Sequence, residues 1–111
     1  MIRKKVYISG AISNTTGDYK RRFAIMDDML QCLGYDTVNP ANLSEVMRGE
    51  FTWRDYMNVC FAMLMKCDAI CMMDGWEESD GAIIEYRAAL KSGLEIMSEY
   101  EIERENEKRT C

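Results

Sequence analysis

The sequence predicts an α/β domain, a three-layer sandwich built on a mostly parallel sheet with strand order 2-1-3-4. Three observations lead there. Short β-rich runs alternate with helix-periodic stretches from Lys4 to Met97, the pattern of successive β-α-β units. The run Asp68–Met73 (D-A-I-C-M-M) is almost continuously apolar, as a strand covered on both faces must be. Right-handed crossovers then set the first and third strands side by side in the middle of the sheet.

Lys4–Ser9 (K-K-V-Y-I-S) reads as a central strand running into Gly10. The loop G-A-I-S-N-T-T-G-D follows, with two glycines and three hydroxyl side chains. It can offer N–H and O–H groups to an anion or a sugar, and it lacks the Lys-Ser/Thr pair of a Walker loop. Taken alone it reads equally as a surface connection. From Asp18 to Leu33, the side chains of Tyr19, Phe23, Met26, Met29, Leu30 and Leu33 share one helical face, and Gly34 stops the helix. Tyr35–Asn39 is the second strand, ended by the only proline, Pro40.

Residues 41–51 form an irregular connection with room for one helical turn. Thr52 and Asp55 make a capping box with Asp in the Glu position, opening a helix that runs to Lys66. Tyr56, Val59, Cys60, Met63 and Leu64 repeat along it at helical spacing. After the third strand, the polar loop Asp74–Asp80 leads into a helix from Gly81 to Ser92, closed by Gly93, and Leu94–Met97 is a fourth strand. Residues 98–111 are charged with little apolar periodicity, either a solvated terminal helix or a frayed end. The expected folded unit is therefore 1–97, followed by a charged tail over 98–111.

Composition narrows the function. A chain of 111 residues with 48% hydrophobic and 30% charged content is that of a single soluble domain. It has neither an apolar run of the roughly 18 residues that span a bilayer nor a signal-peptide core, so a cytoplasmic protein without a membrane partner is expected. The net charge of −5 argues against binding a nucleic-acid polymer. There is no histidine, and the five cysteines form no CxxC pair, so neither a zinc site nor any other metal or cofactor is expected. Cys67 and Cys71 read as small hydrophobes in a reducing compartment. Acid–base chemistry must then come from carboxylates, Tyr, Lys or Cys.

One carboxylate stands out. Glu85 lies three or four positions from Gly81, Ala82, Ala88 and Ala89, so it shares the small-residue face a helix presses against a sheet. In a Rossmann-like or flavodoxin-like sandwich, ligands bind where the chain reverses direction, at the strand C-terminal ends. The Ser9–Asp18 loop, the Asp74–Asp80 loop and the start of the Glu85 helix all converge there. A carboxylate near a helix N-terminus is held ionised by the helix dipole, which suits attack on a sugar anomeric carbon. A second carboxylate is then needed to assist the leaving group, and Asp55 is the candidate, although capping alone would account for it. Two carboxylates, a hydroxyl-bearing loop and no metal ligands favour glycosyl chemistry over metal-assisted hydrolysis, with a structural ion pair or hydrogen bond as the other reading of Glu85.

V-Y-I-S-G-A-I-S near the N-terminus, W-R-D-Y-M at the start of the second long helix, and above all the block from Cys67 to Gly93 resemble the nucleoside 2-deoxyribosyltransferase superfamily. The nearest likeness is to its compact branch of short deoxyribosyltransferase-like domains, and it covers residues 4–97 in order. The resemblance implies cleavage of the N-glycosidic bond of a deoxynucleoside or its 5′-monophosphate, by hydrolysis or base exchange. The family's G-x-x-x-E pattern falls on Gly81–Glu85, which implies Glu85 as nucleophile and Gly81 beside the substrate. Asp55 matches a family Asp that protonates or orients the base, and Tyr7 a Tyr that supports the nucleophile. Ser9 and Gly10, at the end of the first strand, fall at the substrate. Ser79 stands where the transferases carry an Asp and the nucleotide hydrolases a Ser, which favours a 5′-phosphate; against this, Glu77, Glu78 and Asp80 surround it and the first loop has no Arg.

Asn39 either hydrogen-bonds a base edge or ends its strand, and Trp76 either stacks on the base or anchors its loop. The resemblance further implies a homodimer or larger homo-oligomer with the site near the interface, for which Met57, Val59 and Met63 are candidates. Two other functions compete: a nucleotide-binding or sensing domain without turnover, and a flavodoxin-like redox domain using Cys67 and Cys71. The second is disfavoured by thiols on a buried strand.

Overall fold

The computed structural model describes residues 3–12 and 18–109; the middle of the first loop, residues 13–17, and Cys111 lie outside them. Strands β1 (Lys5–Ser9), β2 (Asp36–Val38), β3 (Ala69–Met72) and β4 (Glu95–Ser98) form one parallel sheet of order β2-β1-β3-β4. Helices α1 (Tyr19–Cys32), α2 (Leu43–Val46), α3 (Trp53–Leu64), α4 (Asp80–Lys91) and α5 (Glu99–Glu107) connect and follow them. This is the expected fold class and strand order. No described helix is long and apolar enough to cross a membrane.

Side-chain alternation along β1 divides the core in two. Val6 and Ile8 pack with Phe23, Met26 and Leu30 of α1 and Ile102 of α5 on one face of the sheet. Tyr7, with Ile70 and Met72 of β3, faces Cys60 and Leu64 of α3 and Ala82 and Ala89 of α4 on the other. β1 and β3 are each flanked by strands on both sides and helices on both faces. That double cover accounts for their continuous apolar sequence.

The segment after β4 resolves into a helix. The Ser98 hydroxyl caps it by accepting the Glu101 N–H at 3.2 Å, and Ile102 is the residue it buries, against α1. One buried apolar residue in nine leaves no periodicity to read, which is why the sequence left the choice between helix and frayed end open. The first residue of α5 also reaches the β3–α4 loop. Glu99 accepts the Asp74 N–H at 2.8 Å, and Arg22 of α1 donates to the Asp74 carbonyl at 3.0 Å. That loop is thereby held from two sides.

Because Ile102 is the anchor of α5, Ile102→Ala should destabilise the fold by about 2–4 kcal/mol through lost burial and the cavity left behind. Urea unfolding by linear extrapolation measures it, and a change under about 1 kcal/mol would mean that α5 is held by its polar contacts instead.

Candidate active site

At the C-terminal ends of β1 and β3 lies a cavity of about 250 Å³. Tyr7 and Gly10 close it from the strand side, Trp53, Tyr56, Met57 and Cys60 from α3, and Ser79, Gly81 and Glu85 from the start of α4. Tyr19 and the stretch Pro40, Ala41, Leu43 and Ser44 complete the wall. The volume lies just below the ~300–1,000 Å³ of drug-sized sites.

Glu85 lines it and is only 6% exposed. The Tyr7 hydroxyl donates to its Oε2 at 2.7 Å and the Ser9 hydroxyl to its Oε1 at 2.7 Å. Two residues apart on β1, these hydroxyls stand on the same face of the sheet. The small Ala82 and Ala89 are buried beneath α4, so the helix lies close enough for Glu85 to meet both. Gly81 performs the same service between helices: a Cβ there would come 3.2 Å from the Met57 sulfur.

Burial raises the Glu85 pKa above the ordinary carboxylate value, and the hydrogen bonds from Ser9 and Tyr7 pull it part of the way back. The expectation that the helix dipole would hold this carboxylate ionised is corrected: Glu85 lies beyond the first turn and out of solvent, where desolvation outweighs a dipole effect that fades within one turn. Burial, followed by the adjacent Glu85 charge, drives the Tyr7 phenol far up, so Tyr7 stays a neutral donor. Burial also raises the Cys60 thiol, which lies against the Tyr7 hydroxyl.

Of the residues singled out in the sequence, Tyr7, Gly10, Ser79, Gly81 and Glu85 meet at this cavity. Ser9 sits behind it, wholly committed to Glu85. At Gly10 an added Cβ would fall 2.8 Å from the Cβ of Met73, so the absence of a side chain lets β1 leave the sheet beside β3. Ser79 is the N-cap of α4, its hydroxyl accepting the Ala82 N–H at 3.3 Å.

Asp55, Asn39 and Trp76 are not in the cavity wall. Asp55 accepts the Thr52 N–H at 2.8 Å and completes the capping box of α3. The residues of α3 that line the cavity recur at i, i+3, i+4 and i+7, and Asp55 is roughly 150° round the helix from that stripe. Asn39 caps the Pro40–Asn42 turn by accepting the Ala41 N–H at 3.0 Å and donates to Asp27 at 3.2 Å. It positions the wall without forming it. Trp76 lies against Tyr86, ring centroids 4.6 Å apart, and anchors its loop. Met57, expected at an interface, lines the cavity, and Met63 packs on the α3–α4 side of the core.

Cavity residues not singled out from the sequence include Ile12, Tyr19, Trp53, Tyr56, Pro40, Ala41, Leu43 and Ser44. The α3 pair carried a signal, since they share the helical phase of Cys60, but an apolar stripe over a cavity has the same spacing as one over a core. Cys67 and Cys71 are buried free thiols, pushed up by burial to about 11 and about 12, and such protonated thiols are poor redox nucleophiles.

Residues 4–98 match the model of the family described as Domain of unknown function (DUF4406), and the chain belongs to that family. Among solved structures, the fold is similar to that of a 2-deoxyribosyltransferase from the psychrotolerant bacterium Bacillus psychrosaccharolyticus. The TM-score is 0.63, with 17% identity over 85% of this chain and 70% of the other. At that identity the likeness is one of fold. No curated protein sequence matches the chain.

The raised Glu85 pKa has a sign that stability can test. A carboxyl whose folded pKa exceeds its unfolded one stabilises the fold below the unfolded value, about 4.3, and loses that contribution as pH rises through the folded value. Glu85→Gln keeps the shape without the charge, so it should melt above the wild type near pH 8, and the gap should close toward about pH 4. A thermal melt series across that range checks it. A variant that melts lower at every pH would mean that the carboxylate is stabilising where it sits.

Proposed function

We propose that this chain is an enzyme of nucleoside chemistry that cleaves the N-glycosidic bond of a nucleoside or its 5′-monophosphate, by hydrolysis or base exchange, through an ester on Glu85. The observation that carries the reading is the buried carboxylate held by two hydroxyl donors in the wall of a small cavity. A carboxylate needed only for structure gains little from facing a ligand-sized space, and burying its charge costs stability. The fold shared with a 2-deoxyribosyltransferase adds support.

In the reaction, ionised Glu85 attacks C1′ as the C1′–N bond breaks, and the bonding pair leaves with the base. The base takes up a proton from a wall hydroxyl or water as it departs, and the sugar remains as an ester of Glu85. Water or a second base then attacks C1′, gives its proton back to that hydroxyl or to solvent, and returns the electron pair to the carboxylate. Tyr7 and Ser9 orient the two oxygens so that one lone pair stays aimed at the cavity. Tyr19 and Tyr56 belong to the wall, and their phenols are the hydroxyls this reading assigns to the departing base. Asp55, in this reading, fixes the first turn of α3, from which the α3 wall residues project.

Assembly as a homodimer or larger oligomer belongs to the same reading. The exposed Phe61 of α3 and Ile84 of α4 are apolar surface that it would cover; a monomer in sedimentation at micromolar concentration would remove it. A second reading, a nucleotide-binding domain without turnover, draws on the position of Asp55, which leaves Glu85 as the one carboxylate among the described cavity residues.

The mechanism predicts a covalent intermediate. Incubation with a 2-fluoro-2-deoxy nucleoside should leave a glycosyl adduct on the peptide containing Glu85, seen by intact-mass and peptide spectrometry. Glu85→Ala should lose at least about 10³-fold in base release while keeping its fold. Nucleoside binding with neither adduct nor released base would favour the domain without turnover.

A further inference from the structure

We propose that Asp27 is a positioning residue of the site: through the side-chain amide of Asn39 it fixes the Pro40–Ser44 wall of the cavity, and so governs how tightly a ligand is held there. This rests on the reading that the cavity takes a nucleoside or its 5′-monophosphate. Pro40, Ala41, Leu43 and Ser44 line the cavity, and Asp27 and Asn39 do not. Asp27 lies in the middle of α1, half-buried, and joins it to β2 and to the turn that follows β2. Its Oδ1 accepts from the Gln31 amide at 2.7 Å and from the Thr37 hydroxyl of β2. Its Oδ2 accepts from Asn39 Nδ2 at 3.2 Å, and Asn39 Oδ1 accepts the Ala41 N–H at 3.0 Å.

Those partners leave the Asn39 amide one orientation. A carboxylate only accepts, and a backbone N–H only donates. The amide end toward Asp27 is therefore the NH2, and the oxygen is the end left for Ala41. Pro40 opens the turn without an N–H of its own, so the Ala41 N–H is the first that needs a cap. Ala41 is buried in the layer under α1 and also lines the cavity. The cap thus places a residue that core and cavity share. Glu85 takes its donors from β1, so the network around Asp27 has no atom in common with the proposed nucleophile.

The polarity of the pair can be reversed, which separates positioning from mere packing. Asp27→Ala removes the acceptor and frees the amide to turn away from Ala41. Asn39→Asp sets two carboxylates against each other where a donor met an acceptor. The exchange Asp27→Asn/Asn39→Asp keeps every bond with the roles traded. The carboxylate at position 39 then accepts both the Ala41 N–H and the amide at position 27, whose oxygen still receives Thr37 and Gln31. The two single variants change the net charge in opposite directions and the exchange leaves it unaltered, so a general charge effect cannot produce the same pattern.

The test is calorimetric binding of the four common deoxynucleosides and their 5′-monophosphates to the wild type and the three variants, with kcat of base release and a thermal melt for each. For the compounds that bind, Kd should rise about fivefold or more in both single variants, while kcat at saturation stays within about twofold. The exchange should return Kd to within about twofold of the wild type. Asn39→Asp and the exchange carry the test alone where Asp27→Ala does not fold. Single variants that melt lower with Kd unmoved, or an exchange that binds as weakly as Asn39→Asp, overturn the inference and leave the nucleoside reading intact. The expected Kd pattern without base release from the wild type supports the inference and overturns the cleavage. A wild type that binds none of the eight compounds overturns the nucleoside reading, and the assignment of Asp27 with it.

Discussion

The constraint on which this molecule turns is the closeness of α4 to β1. A buried carboxylate is tolerable only where each oxygen finds a donor. The donors for Glu85 are hydroxyls on the central strand, 2.7 Å away on either oxygen. A larger side chain in place of Ala82 or Ala89 would hold the helix off and leave the charge without partners. The same closeness recurs between α3 and α4, where Gly81 lies against Met57. Small residues on α4 thus serve the site by what they leave out.

Strand β1 has two tasks that its alternation keeps apart. Val6 and Ile8 belong to the apolar layer under α1 and α5, and Tyr7 and Ser9 turn their hydroxyls to Glu85. A one-residue slip in register would exchange the two sets and destroy both. Position is guarded by β2 on one side and β3 on the other, with Tyr7 paired to Val38 and Ile70. The sheet fixes the donors and the helix brings the acceptor. The opposing pulls on Glu85 follow: desolvation favours the protonated acid, and the hydroxyls favour the anion that the proposed chemistry needs.

Much of this was legible in the residues. The β-α alternation gave the strand order, because parallel strands joined by right-handed crossovers leave few arrangements. The anomaly of Glu85 among small residues pointed to the cavity, because charge on a packing face is rarely accidental. Asp55 and Asn39 were ambiguous for one reason: Asp and Asn cap helices and turns as readily as they bind ligands, and both are engaged in capping. Trp53 and Tyr56 hid in a stripe whose period does not say whether it faces side chains or space. The walls from Pro40 to Ser44 came from an irregular segment, where no periodicity exists to read. The reversal of the dipole argument at Glu85 needed a depth, and depth is not a property of sequence.

The contact between Glu99 and the Asp74 N–H bears on where the polypeptide can be cut. The β3–α4 loop delivers Ser79 and the start of α4 to the cavity, and one of its tethers comes from the first residue of α5. A chain shortened after β4 would keep every residue of the proposed chemistry and still lose that tether, along with Ile102 beneath α1. Grafting this domain onto another protein is therefore better done beyond Glu107 than at the end of the sheet, since the last helix is part of the mounting of a site it never touches.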